Sequence, residues 1–93
     1  MIDNFKINNK KVLQYGKIFI IAEIGINHGG DFNICKKMIF EAKKAGADAV
    51  KIQTINPNES YLVSTNSFKI FKNKNFTDLE LDKLVKFSNK IGI

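Results

Sequence analysis

Ninety-three residues, 44% of them apolar, suffice for one small domain and exclude a compositionally disordered chain. The net charge is +6 and every cation is lysine; without arginine, which grips bases and phosphates with two hydrogen bonds at once, the excess argues only weakly for a polyanion partner. No stretch approaches the roughly 18 uncharged apolar residues of a membrane span, the N-terminal Met-Ile-Asp-Asn-Phe-Lys has no apolar signal core, and the single cysteine, Cys35, cannot form an internal disulfide, so a cytoplasmic protein with no membrane partner is expected.

Residues 5–15 alternate around Asn8-Asn9-Lys10, which predicts a small β-hairpin. Ile18 to Gly25 is an apolar run that predicts the first strand of the main sheet, with Phe19, Ile21 and Glu23 on one face and Ile20, Ala22 and Ile24 on the other. Asp31 is a fitting N-cap. Cys35, Met38, Ile39, Ala42 and Ala45 then follow helical spacing, and Gly46 is a natural terminator. Cys35 and Met38 read as core. Ala49 to Ile55 predicts a second strand, in which Val50 and Ile52 oppose Lys51 and Gln53. A long connection over 56–76 reads as a lid or as a segment with short structure of its own. Thr77-Asp-Leu-Glu80 is a capping box, opening a helix that turns Leu81, Leu84, Val85 and Ile91 inward and ends at Gly92.

The order is β-α-β-α behind a hairpin, an α/β pattern with right-handed crossovers. Its expected organisation is a hairpin cap over 1–17, strand-helix-strand over 18–55, the long loop over 56–76 and a helix over 77–92. Two strands and two helices do not complete a domain, so the chain reads as the opening of a larger protein.

Glu23 is the most telling residue. A carboxylate at the end of an apolar strand costs desolvation energy unless it is paired or faces a polar cavity. Strand ends that feed βα loops are where α/β enzymes place their chemistry. If the two strands are parallel neighbours, Glu23, Lys51 and Gln53 converge: a base, a cation and an amide. The loop Gly25-Ile-Asn-His-Gly-Gly30 displays Asn27 and His28 beside them. It is not a nucleotide loop. Asn27 stands where a dinucleotide fingerprint needs its second glycine, and Asp31 stands where a P-loop needs its lysine. His28 is the only histidine, so the chain offers no evident metal site, and beside its display stands the plainer reading of a hydrogen-bonded structural histidine of the loop.

Ile-Ala-Glu-Ile-Gly-Ile-Asn-His-Gly-Gly (21–30) and Ala-Lys-Lys-Ala-Gly-Ala-Asp-Ala-Val-Lys-Ile-Gln-Thr (42–54) closely resemble the start of the sialic acid synthase family. These are the N-acetylneuraminate synthases and the relatives that make legionaminic, pseudaminic and other nonulosonic acids. The usual motif has Asn or Glu where this chain has Gly29. The resemblance implies the first two βα units of a (β/α)8 TIM barrel, here incomplete, with the family's C-terminal antifreeze-like domain absent. It implies condensation of phosphoenolpyruvate with an N-acylated amino sugar, N-acetylmannosamine or a related 6-deoxy sugar, with release of phosphate. It also implies Mn2+ or Mg2+, held by residues beyond this chain, and homodimeric full-length relatives. By motif position Glu23 matches the catalytic acid/base, Lys51 a lysine near the phosphoenolpyruvate carboxylate or phosphate, and Gln53 an amide on the amino sugar. Asn27 and His28 match the substrate-binding loop. The 93 residues alone are expected to be inactive.

Two other readings stand beside it. One is a different phosphoenolpyruvate-dependent aldol-type barrel synthase. The other is a non-catalytic basic module in which Ser67 to Phe76, where aromatics alternate with lysines, grips single-stranded nucleic acid; a lid over the barrel mouth explains that stretch better.

Overall fold

The computed structural model describes residues 4–13 and 15–93. Residues 1–3 and 14 of the expected hairpin cap lie outside them. The hairpin itself is present: β1 (Asn4–Ile7) pairs antiparallel with β2 (Lys10–Leu13). Asn8 and Asn9 both take positive φ, 47° and 68°, the backbone of the two-residue turns whose twist suits a hairpin.

The main sheet holds two parallel strands, β3 (Ile21–Gly25) and β4 (Ala49–Ile52), joined by α1 (Phe32–Lys44). Asp31 caps α1 as expected, its side chain accepting from the Ile34 N–H at 3.0 Å. Gly46, at φ 96°, lets the chain leave the helix, and the Ala47 N–H returns to the Ala42 carbonyl. Both strands are shorter than the apolar runs that announced them. β3 starts at Ile21 because the Ile20 backbone is occupied by Asp48: its N–H donates to Asp48 Oδ2 at 2.8 Å, and its carbonyl accepts from the Asp48 and Ala49 N–H groups. β4 ends at Ile52, and by Ile55 the backbone N–H has turned to Asn75 Oδ1.

The connection over 56–76 carries two short helices, α2 (Pro57–Ser60) and α3 (Asn66–Phe71). Each has a side-chain cap, Asn56 and Thr65, and the Tyr61 and Phe71 rings stack at 5.5 Å. α4 (Asp78–Ile91) begins at the expected capping box, with Glu80 N–H on Thr77 Oγ1 and Thr77 N–H on Glu80 Oε1. It packs against α1, where Lys43 Nζ reaches the Gly92 carbonyl at 3.0 Å.

Ile24, Cys35, Ile39, Phe76, Leu84 and Ile93 form the core, with Val50, Ile52 and Leu81 packed against it. The helices therefore cover one face of the sheet, and the face with Ile21 stays open. Cys35 is core as expected, and burial pushes its thiol up to about 11. Val85, expected inward, is 58% exposed. Phe76, expected in a lid, takes a core place instead. Among the described residues the sheet is not closed into a barrel, and no helix is long and apolar enough to cross a membrane.

Candidate functional site

The parallel register sets Glu23 directly opposite Lys51, with Lys51 Nζ 3.7 Å from Glu23 Oε2. Their neighbours Ile24, Val50 and Ile52 pack toward the helices, so the pair stands on the open face. Its side chains are 59% (Lys51) and 56% (Glu23) exposed. Ion pairs this open contribute about 0–1 kcal/mol, so stability does not account for a carboxylate and an ammonium here.

The strands then fall out of step. After Glu23 opposite Lys51, the next pair is Gly25 opposite Ile52, so Ile24 is an extra residue. Such a bulge re-aims the chain at a strand end, a feature common beside active sites. Gly25 turns there with φ 60°. A Cβ on it would come within 3.3 Å of Gln53 Oε1, so the Gln53 amide lies directly over the glycine. The Gln53 N–H also donates to the Gly25 carbonyl at 3.1 Å. Gln53, two residues past Lys51, is exposed as Lys51 is.

Asn27 is exposed, but Nδ2 folds back to donate to the Ile24 carbonyl at 2.8 Å. It therefore secures the bulge as well as edging the site. His28 is the correction. It was expected on display, yet it is 2% exposed, because its ring lies 4.5 Å from that of Phe76. Nδ1 accepts from the Gly30 N–H at 2.9 Å. Burial lowers its pKa, the Gln53 backbone opposing that shift, and Nε2 has no hydrogen-bond partner among the described residues. Gly29, by contrast, has open space around its missing side chain, so glycine where the usual motif has Asn or Glu disturbs nothing.

The structure thus gathers Glu23, Lys51, Gln53 and Asn27 at one strand-end edge and leaves the His28 ring beneath it. Asn75 and Phe76, which support this edge, were missed; nothing in an aromatic–lysine alternation distinguishes a core phenylalanine from an exposed one. That alternation does not form a stacking platform either. Phe76 is buried, Phe71 is stacked on Tyr61, and Phe68 is half-buried. Asp48 was read only as the start of a strand. It joins the hairpin to the other end of the sheet through Lys10 at 3.4 Å and the Ile20 N–H, and that amide first, then Lys10 and Lys17, hold its carboxyl below the ordinary value. No group of three or more His, Cys, Asp or Glu residues among those described could hold a metal ion.

Parallel strands with helices on one face and a bulged, polar strand-end edge on the other define an α/β chain of the enzyme type. Comparison with known proteins narrows this. No family model matches. Pseudaminic acid synthase of Campylobacter jejuni is 50% identical over 56 residues, 60% of this chain and 16% of that protein. The uncharacterized protein MJ1065 of Methanocaldococcus jannaschii is 36% identical over 92 residues, 99% of this chain and 27% of that protein. The crystal structure of N-acetylneuraminic acid (sialic acid) synthetase from Leptospira borgpetersenii, in complex with citrate, matches with a TM-score of 0.89 at 35% identity. That match covers 98% of this chain and 32% of the other. The chain belongs to the sialic acid synthase family, and it spans about a quarter of the length of the archaeal relative.

Proposed function

We propose that this chain carries one edge of the active site of a nonulosonic acid synthase built on a (β/α)8 barrel. The reaction would join phosphoenolpyruvate to an N-acylated amino sugar and release phosphate. The supporting observation is the Glu23–Lys51 pair, in register and open, in a chain related to named synthases of this kind.

Phosphoenolpyruvate is an anion, and the Lys51 ammonium attracts and orients it. As the enol carbon bonds to the sugar carbonyl carbon, positive charge develops at the carbon bearing the phosphate ester. Water adds there. Glu23 takes the proton of that water, and the tetrahedral product collapses by releasing phosphate and leaving a keto group. The Gln53 amide, held over Gly25, offers a donor and an acceptor to the sugar, and Asn27 edges the same opening. The Mn2+ or Mg2+ that the family resemblance implies finds no ligand group among the described residues, and no step here runs through it.

The test is phosphate release from phosphoenolpyruvate with N-acyl amino sugars, in the full-length protein that carries this chain and in its Glu23→Gln form. The substitution is nearly isosteric and should abolish turnover without unfolding the protein. Near-normal turnover in Glu23→Gln would reject the acid/base role. Release that requires a different aldehyde acceptor would instead favour another aldol-type synthase.

A further inference from the structure

The site residues hang from two loops, 26–30 and 53–55, and one segment, 73–76, grips both. Phe76 lies on the His28 ring. Gly30 sits so tightly on the next turn that a Cβ would come within 2.8 Å of Lys74 Cα and 2.9 Å of the Asn73 carbonyl oxygen. On the second loop, the Ile55 N–H donates to Asn75 Oδ1 at 3.0 Å. These contacts are independent of one another, and they come from consecutive residues.

His28 is at their centre. Because Nδ1 accepts from the Gly30 N–H, the proton of the neutral ring is on Nε2. That atom is buried with no hydrogen-bond partner among the described residues. Packing alone does not call for such a residue. An apolar ring would fill the same space, whereas a buried N–H without a partner leaves its desolvation uncompensated. What a histidine adds is an acceptor for the Gly30 N–H on a ring that Phe76 covers.

We infer that His28 is a positioning residue: clamped by Phe76 and accepting from the Gly30 N–H, its ring holds the loop bearing Asn27 against segment 73–76, which also holds Ile55 of the neighbouring loop, and so fixes the opening into which the sugar must fit. The kinetic part rests on the synthase reading; the tie itself does not. The decisive variant is His28→Phe, which keeps a ring against Phe76 but removes both nitrogens. The Gly30 amide should exchange with deuterium at least tenfold faster, with no matching fall in global stability. In phosphate-release assays the KM for the amino sugar should rise, with kcat/KM falling by up to about a hundredfold, the scale of a small misplacement of a bound substrate. Asn75→Ala, which loosens the other loop from the opposite side, should change KM in the same direction, and Asn75→Asp, which keeps an acceptor for the Ile55 N–H, should restore it. Unchanged exchange in His28→Phe, or equal exchange at every amide in proportion to lost stability, would overturn the tie. If the full-length protein that carries this chain releases no phosphate, the synthase reading fails, and the exchange comparison still decides the role of His28.

Discussion

Gly29 and Gly30 make a matched pair for testing how the site loop is held. Both have positive φ, 63° and 80°, so an alanine at either costs about 1–2 kcal/mol in backbone strain. There the likeness ends. A Cβ at 29 meets nothing within 4 Å, while a Cβ at 30 meets backbone atoms of Asn73 and Lys74 at 2.8–2.9 Å. Backbone cannot rotate out of the way as a side-chain tip can, so overpacking adds about 1–3 kcal/mol. Any loss of unfolded-state freedom is the same for both substitutions and cancels. Gly30→Ala should therefore be the worse by about 1–3 kcal/mol. With a urea slope of about 1–2 kcal/mol per molar for a small protein, the unfolding midpoint should fall about 1 M further than in Gly29→Ala. Equal midpoints at equal slopes would show that the loop 26–30 does not press on 73–74, and would remove one of the contacts on which the clasp depends.

Other expected outcomes follow from single contacts. Leu84→Ala empties a fully covered core position and should cost about 2–5 kcal/mol in the same urea assay. Thr77→Ala removes a cap from α4 and should cost about 1 kcal/mol, visible as faster exchange in the first turn of that helix. The Cys35 thiol, buried and pushed up to about 11, should ignore a thiol reagent at neutral pH and react once the chain unfolds. His28 has its pKa lowered from 6.5 by burial, so the unfolded chain binds its proton first; thermal stability should decline as pH falls below about 6.5, and His28→Phe should flatten that decline. Asp48 acts in the same sense at lower pH. Its folded pKa is depressed below 3.8, so its contribution is present above that value and is lost as pH falls through the folded pKa.

Local chemistry was legible where one residue decides the outcome. Asp31 and the Thr77–Glu80 box start their helices, Gly46 ends one, and the Asn8-Asn9 turn closes the hairpin, because each acts within four residues of itself. The parity of Glu23 and Lys51 was equally readable, since side chains of a strand alternate whatever surrounds it. What periodicity could not show was which residues come together from afar. Gly30 against Lys74 and Ile55 against Asn75 join segments 44 and 20 residues apart, and no spacing rule links them. His28 illustrates the limit. A lone histidine in a glycine-rich loop suggests a ligand-facing group, and only the arrival of Phe76 turns it inward. Val85 fails for the converse reason: its place on the helix suggested burial, but no neighbour among the described residues covers it.

The two ends of the small sheet bear ion pairs of opposite character, and the contrast separates support from chemistry. At the strand starts, Asp48 is 18% exposed and also accepts from the Ile20 N–H at 2.8 Å. Its oxygens are committed to the fold, and losing its charge would weaken the bond to that amide and leave Lys10 only the Asp48 backbone carbonyl at full strength. At the strand ends, Glu23 and Lys51 meet at 3.7 Å, are both more than half exposed, and show no other hydrogen bond among the described residues. A carboxylate with unused oxygens, beside an ammonium with unused protons, adds little cohesion to the sheet and is available to something that binds there. The bulge at Ile24 and the glycine at 25 point the same way, since they open the backbone at the end that carries the free pair. An α/β fold that places its spare valence at the C-terminal ends of its strands and spends it at the N-terminal ends is arranged for chemistry at the first and cohesion at the second. Substitution should divide accordingly: Asp48→Asn should lower stability, whereas Lys51→Met should leave the unfolding midpoint nearly unchanged and abolish phosphoenolpyruvate binding. A Lys51→Met protein that unfolds as readily as Asp48→Asn would place cohesion at both ends and leave the edge without a chemical role.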